Sequence, residues 1–133
     1  MDSKVYVILG DGEIQEGQIW EAAMSASKFN TNNLVAIVDN NKVAQDNITK
    51  DLKDIEPIEA KWDSFGWDVH RINVHNMTEI IKILQKAIHP DKPRVIIADT
   101  IKGKGVSFME GKTAWHGVAP SKEDYDKALK ELG

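Results

Sequence analysis

The chain has 133 residues, 41% apolar and 29% charged, with 21 acidic against 17 basic side chains and a net charge of −4. Such a composition is that of one globular domain with room for a core, and its acidic balance argues against nucleic acid or an anionic membrane as partner. The absence of cysteine excludes a disulfide framework and a cysteine–zinc site, and it fits a cytoplasmic setting.

Met1-Asp2-Ser3-Lys4 leads directly into Val5-Tyr6-Val7-Ile8-Leu9, so no signal peptide is expected, and no run approaches the length of a membrane span. The unbroken apolar run predicts a parallel strand covered by helices on both faces. Gly10 and Gly12 flank Asp11, which predicts a sharp turn and a close approach of backbone to a ligand. A helix is expected from Glu13 to about Phe29, with acidic residues in its first turn where the helix dipole favours them. The small residues from Ala22 to Ser27 suit close helix packing, in a subunit interface or in the core. Leu34 to Val38 reads as a second strand that delivers Asp39, Asn40 and Asn41 to the same end of the sheet. Open α/β sheets bind ligands at that carboxyl edge.

Polar residues from Asn47 to Asp54 predict a loop over this edge. Pro57 suits the first turn of a helix over about Glu56 to Phe65, closed by Gly66. Trp67 to Ile72 alternates as an edge strand does, and Ile80, Ile81, Leu84 and Ala87 form the stripe of a helix from Thr78. After the turn at His89 to Pro93, Arg94 to Thr100 reads as a buried strand. The resulting βαβαβαβ order defines the fold class as α/β, a mostly parallel sheet flanked by helices. From Ile101 to Pro120 there are four glycines and no periodicity, which predicts a functional loop covering the ligand. Ser121 and Asp124 form a helix-start signal, with Tyr125, Ala128, Leu129 and Leu132 as the packing face of the last helix.

The carboxyl edge suits a magnesium diphosphate. Amides of the turn and helix start attract phosphate oxygens. Asp11 and the side-chain oxygen of Asn41 are hard donors for a small divalent cation, and a carbonyl near Val43 adds another. A lone aspartate between glycines is as readily a turn or cap residue, and only its pairing with Asn41 at the next strand end points to a cation. Glu16 could serve the helix dipole alone, and Trp20 reads as packing. Lys102 and Lys104 either neutralise phosphate or are merely solvated, and His70, His75 and His89 read as surface or edge residues. No spacing suggests zinc, and no serine or cysteine nucleophile is evident, so the chemistry would belong to a cofactor.

Gly10-Asp11-Gly12 followed about thirty residues later by Asn40-Asn41 resembles the binding motif of thiamine diphosphate enzymes. With Glu16-Gly17, Trp20-Glu21-Ala22, Asn33-Leu34, Gln45-Asp46, Lys102-Gly103-Lys104-Gly105 and Trp115-His116-Gly117, the chain resembles the amino-terminal, diphosphate-binding half of transketolase over nearly its whole length. The resemblance implies a thiamine diphosphate-binding fold and a transferase of the pentose phosphate pathway that moves a two-carbon ketol unit from a ketose phosphate to an aldose phosphate. It implies thiamine diphosphate with Mg²⁺, or Ca²⁺ or Mn²⁺, as cofactors. By the same resemblance Asp11 and Asn41 hold the metal through their side chains and Val43 through its carbonyl, while Gly10 and Gly12 lie at the diphosphate. Glu16 links two cofactors across a dimer interface, and His116 is the catalytic histidine beside diphosphate and sugar.

Two positions depart from the family pattern. Asn47 follows Asp46 where glycine is usual, and Val74 replaces the glycine of Asp-Gly-His-Asp in Asn73-Val74-His75-Asn76, so that loop is expected to differ. Only nine residues precede Gly10, and the family's upstream histidines and the activating glutamate of another domain are not in this sequence. The expectation is part of a diphosphate-binding domain, inactive alone and working as a homodimer or with complementary transketolase chains. The alternatives are a component of another thiamine diphosphate enzyme, such as a deoxyxylulose phosphate synthase or a 2-oxoacid dehydrogenase, and a non-catalytic binding or assembly remnant.

Overall fold

The computed structural model describes residues 3–43, 51 and 53–133. Asn47, Gln45-Asp46 and most of the loop expected at 47–54 lie outside the described residues. Four parallel strands form one sheet: β1 (Val5–Gly10), β2 (Leu34–Asn40), β3 (Asp68–Asn73) and β4 (Arg94–Asp99), in the order β1-β2-β4-β3. Four helices whose bounds lie wholly within the described residues accompany the sheet: α1 (Gly17–Lys28), α2 (Ile58–Ser64), α3 (Met77–Gln85) and α4 (Lys122–Leu132). No helix among the described residues is long and apolar enough to cross a membrane.

The register aligns the strand tips. Gly10 pairs with Asp39, while Asn40 and Asn73 both pair with Asp99, so the polar residues that end each apolar run share one edge. The two central strands carry the core. β4 is buried from Arg94 to Ala98, as its unbroken apolar run requires. On one face Leu9, Ala36, Val38, Val95 and Ile97 pack under Ala23 and Ala26 of α1 and Ile58 and Trp62 of α2. On the other, Val35 and Ile96 meet Ile83 of α3. Each large side chain so buried contributes about 1.5–3 kcal/mol.

Aromatic residues lock α1 to α2. Trp62 lies 4.7 Å from Trp67 and 5.3 Å from Trp20, centroid to centroid, and the Trp67 indole donates to the Ala23 carbonyl at 3.0 Å. Trp20 is thus a packing residue. Gly66 adopts φ +85° after α2, and a Cβ there would stand 2.7 Å from the Ser27 hydroxyl. The small residues of α1 therefore serve packing within this domain on the Ala23 and Ala26 face.

Three expectations are corrected. β1 is an edge strand rather than a covered one: Val5, Tyr6, Val7 and Ile8 are 51%, 49%, 37% and 73% exposed. An unbroken apolar run asks for cover but does not say which element supplies it. The helix expected from Glu13 is broken, with a 3₁₀ turn at Glu13–Gln15 and then extended backbone at Glu16, where ψ is 135°, before α1 begins. Glycines at 12 and 17 weaken helix continuity there, and Glu13 instead folds back to accept the Gly10 amide at 3.0 Å. Finally, Ser121 and Asp124 do form a capping box, yet no residue of α4 is buried and Tyr125, Leu129 and Leu132 stay about half exposed. Glu131 holds this helix to Ser107 instead.

Candidate cofactor site

Asp11 stands one residue beyond β1, and its amide extends the ladder to the Asp39 carbonyl at 3.2 Å. It is 2% exposed. A carboxylate so buried requires partners, and one of them is the Lys42 amide, which donates to Oδ2 at 2.6 Å. The next amide along, that of Val43, donates to Asn41 Oδ1 at 2.9 Å. The two side chains singled out as metal donors are thereby gathered on consecutive amides of one loop, with Val43 itself buried beside them.

Lys42 makes that convergence possible by adopting φ +64°. For a lysine this left-handed conformation costs about 1–2 kcal/mol, and it turns Val43 back onto Asn41. Asp39 fixes the orientation of the Asn41 amide group: the Asn41 Nδ2 donates to Asp39 Oδ2 at 3.0 Å, which leaves Oδ1 as the inward oxygen. Thr100 donates its hydroxyl to the other Asp39 oxygen. Asp39 is thus a supporting residue that spacing alone did not single out, although Asp39-Asn40-Asn41 at a strand tip was the available signal.

The turn around Asp11 is made without left-handed backbone at its glycines. Neither Gly10 nor Gly12 has positive φ; Gly12 sits at φ −69°, ψ −36°, open to any residue. A Cβ on Gly10 would lie 3.8 Å from that of Glu13, an ordinary contact. The turn therefore does not demand glycine by backbone conformation, and what remains is room above the backbone.

Next to this corner a cleft of about 520 Å³ lies along the tips of β2, β3 and β4. Asn41, Lys42, His75, Thr100, Lys102 and Gly111 are among the residues lining it. A larger depression of about 860 Å³ runs beside β3 and α3, among Ile72, Ile81 and Ile83, and takes in none of the predicted site residues. Lys102 lines the cleft, whereas Lys104 pairs with Glu110 at 3.4 Å and does not line it.

Gly103, Gly105, Gly111 and Gly117, the glycines of the predicted loop, all have positive φ, and a Cβ on Gly103 would meet Met109 at 2.9 Å. The loop folds on itself: Gly111 donates to the Lys102 carbonyl at 2.9 Å, and the Trp115 indole donates to the Phe108 carbonyl. His116 follows a 3₁₀ turn, Thr113–Trp115, and is exposed; Glu16 is exposed too and makes no capping bond to α1. Neither His116 nor Glu16 lines the cleft. Val74 avoids positive φ, so the β3–α3 turn has a conformation suited to valine.

At the cleft, whose wall includes Asp99, Arg71 on the edge strand β3 gathers three carboxylates. It donates to Asp99 at 2.8 and 2.9 Å and to Glu59 at 2.9 Å, with Glu56 at 3.6 Å. The Arg71 hydrogen bond holds the Asp99 carboxyl below the usual range, aided by the Asn40 amide at 2.7 Å. This network joins β2, β3, β4 and α2 beneath the strand tips.

A parallel α/β sheet with an acid and a carboxamide at two adjacent strand tips places the chain among open-sheet domains, a class that binds ligands at this edge. The family model for the transketolase thiamine diphosphate-binding domain matches residues 1–133, and this chain belongs to that family. It is 44% identical over 133 residues to the 6-deoxy-6-sulfo-D-fructose transketolase subunit SqwG of Clostridium sp. (strain MSTE9), covering 99% of this chain and 48% of that protein. It is 41% identical over 132 residues to an apulose-4-phosphate transketolase subunit of Phocaeicola vulgatus, covering 98% and 47%. The crystal structure of transketolase from Campylobacter jejuni superposes with a TM-score of 0.91 at 32% identity, covering 99% of this chain and 21% of that one. The chain thus spans about half the length of those two curated relatives.

Proposed function

We propose that this domain binds thiamine diphosphate with Mg²⁺ and acts, with complementary chains, as a transketolase that moves two-carbon ketol units between sugar phosphates. The observation that carries the reading is the convergence of Asp11 and Asn41 on successive amides, Lys42 and Val43. A carboxylate, a carboxamide oxygen and a backbone carbonyl are a donor set that fits Mg²⁺, whose remaining positions go to phosphate oxygens and water. Among the described residues no cluster of three His, Cys, Asp or Glu side chains offers a competing metal site. Ca²⁺ or Mn²⁺ would fit the same oxygens with longer bonds or less strict geometry.

In this reading Gly10 and Gly12 leave room for the diphosphate against the turn, and Gly12 donates its amide. Thiamine diphosphate, when bound, supplies the carbon nucleophile that the protein lacks. His116, exposed on the glycine-rich loop and outside the cleft of this chain, would orient the sugar and handle a proton where complementary chains complete the site, and Glu16, exposed at the start of α1, would reach across to the other half of a dimer. Lys102 adds positive charge beside the phosphates.

The exposed apolar edge of β1 supports cover by a complementary transketolase chain or segment, because open edges with large apolar side chains associate. Relatives named as transketolase subunits support assembly from more than one kind of chain; a homodimer of the whole is part of the reading. The names of those relatives carry two different ketoses, which supports a ketose as the donor class; an aldose acceptor and a cytoplasmic location complete the reading.

Titration of the chain with thiamine diphosphate, with and without Mg²⁺, tests binding; ketol transfer assayed after adding complementary chains tests the activity. Expected are Mg²⁺-dependent uptake and turnover in the mixture only. Absence of uptake in both conditions refutes the cofactor, and turnover by the chain alone refutes the need for partners. Pyruvate as donor in place of a ketose phosphate separates this activity from that of other thiamine diphosphate enzymes.

A further inference from the structure

His75 has a role that the loop's altered sequence obscured. Its ring nitrogen Nε2 lies 2.8 Å from the Ile101 amide, which donates to it. Ile101 opens the glycine-rich loop that carries Lys102, Gly111 and His116. Because an amide can only donate, Nε2 must be unprotonated and the ring proton must sit on Nδ1.

The turn that presents His75 is tightly built. Asn73 Oδ1 accepts the His75 amide at 2.9 Å, and the Val74 amide donates to the Asp99 carbonyl at 3.3 Å. Glu79 of α3 receives the Asn73 amide and the Asn76 side chain, while Asn76 caps α3 through Thr78. These bonds fix the turn to β4 and α3. The loop, in turn, closes on itself through the Gly111 amide and the Lys102 carbonyl. The His75 bond is a side-chain link between the fixed turn and the root of the loop, and His75, Ile101, Lys102 and Gly111 all line the same cleft as Asn41.

We infer that neutral His75 is a positioning residue: it pins the root of the glycine-rich loop through Ile101 and so sets the wall of the cleft opposite Asn41. The consequence for cofactor affinity rests on the function proposed above; the pin itself does not.

Three variants of the full chain separate acceptor chemistry from packing. His75→Gln places an amide oxygen near the position of Nε2, His75→Asn is too short to reach, and His75→Phe keeps ring shape without an acceptor. In the wild type, ¹⁵N spectra of the imidazole are expected to show the Nδ1–H form. The Ile101 amide is expected to exchange with solvent about three- to tenfold faster in the Asn and Phe variants, the worth of one hydrogen bond, and to return toward wild type with Gln. Thiamine diphosphate affinity in Mg²⁺ should fall in the same pattern, by about the same factor. An Nε2–H ring in the wild type, or an Ile101 amide unchanged across all four proteins, overturns the pin. Equal affinity in all four despite a released amide overturns its effect on the cleft. A wild-type chain that takes up no cofactor counts against the cofactor reading alone, and the amide pattern still decides the pin.

Discussion

Asp11 and Asp99 stand at the same edge of the sheet, with β2 between their strands, and they are held in different ways. Asp11 is buried and receives a backbone amide of the Lys42 loop. Asp99 is part-exposed and is chelated by the Arg71 guanidinium, which also holds Glu59 of α2. The first carboxylate is tied to the loop that would carry a ligand, and the second to neighbouring elements of the framework. On the proposed function, identical side chains at strand ends serve binding in one case and cohesion in the other, and the partner atom is what distinguishes them.

The largest expected effect separates them directly. Asp11→Ala should weaken Mg²⁺-dependent thiamine diphosphate binding by at least the roughly 10–100-fold that loss of an outer-sphere partner costs a metal site, measured by calorimetric titration. Asp11→Asn keeps an acceptor for the Lys42 amide but lowers the charge offered to the cation, so it should bind weakly while folding like wild type. Equal loss of affinity in Asp99→Asn would erase the distinction.

Arg71→Met tests the other side. It leaves Asp99, Glu59 and Glu56 close together without their shared cation, and because the group is part-exposed the expected cost is about 1–2 kcal/mol in denaturant unfolding. Cofactor affinity should change far less than in Asp11→Ala. The acid limb follows from the same contact. The Arg71 hydrogen bond lowers the Asp99 pKa, and at Asp68 burial pushes the other way but hydrogen bonds from Arg94 and His70 prevail. A carboxyl with a depressed folded pKa stabilises the fold above its unfolded value of about 3.9 and loses that contribution as pH falls through the folded value. Melting temperature should therefore drop steeply below about pH 4, with a shallower acid slope in Arg71→Met. The smallest effect is expected from Lys42→Gly. Relief of φ +64° should offset the added freedom of glycine in the unfolded chain, changing stability by no more than about 1 kcal/mol.

Much of this was legible before the structure. Unbroken apolar runs ended by polar residues marked β1, β2 and β4, and a parallel sheet then carries their tips to one edge. The four glycines read as marking an irregular loop all occupy positive φ. Cover was not legible: Val5 to Ile8 look like a central strand because residue type records apolarity and not the neighbour that satisfies it. The break at Glu16 was hidden because Glu13 has helix propensity yet gains a better partner in the Gly10 amide. Contacts between residues distant in sequence, such as His75 with Ile101 and Arg71 with Asp99, leave no local pattern to read. Family membership followed from motifs that survive in order along the chain.

The most direct measurement is paramagnetic broadening by Mn²⁺ added with thiamine diphosphate to the ¹⁵N-labelled chain. Amide signals of residues 10–12 and 41–43 are expected to vanish first, with those around Asp99 and Arg71 fading later. Broadening centred on Asp99, Glu59 and Glu56, or spread evenly over the acidic surface, would contradict that expectation.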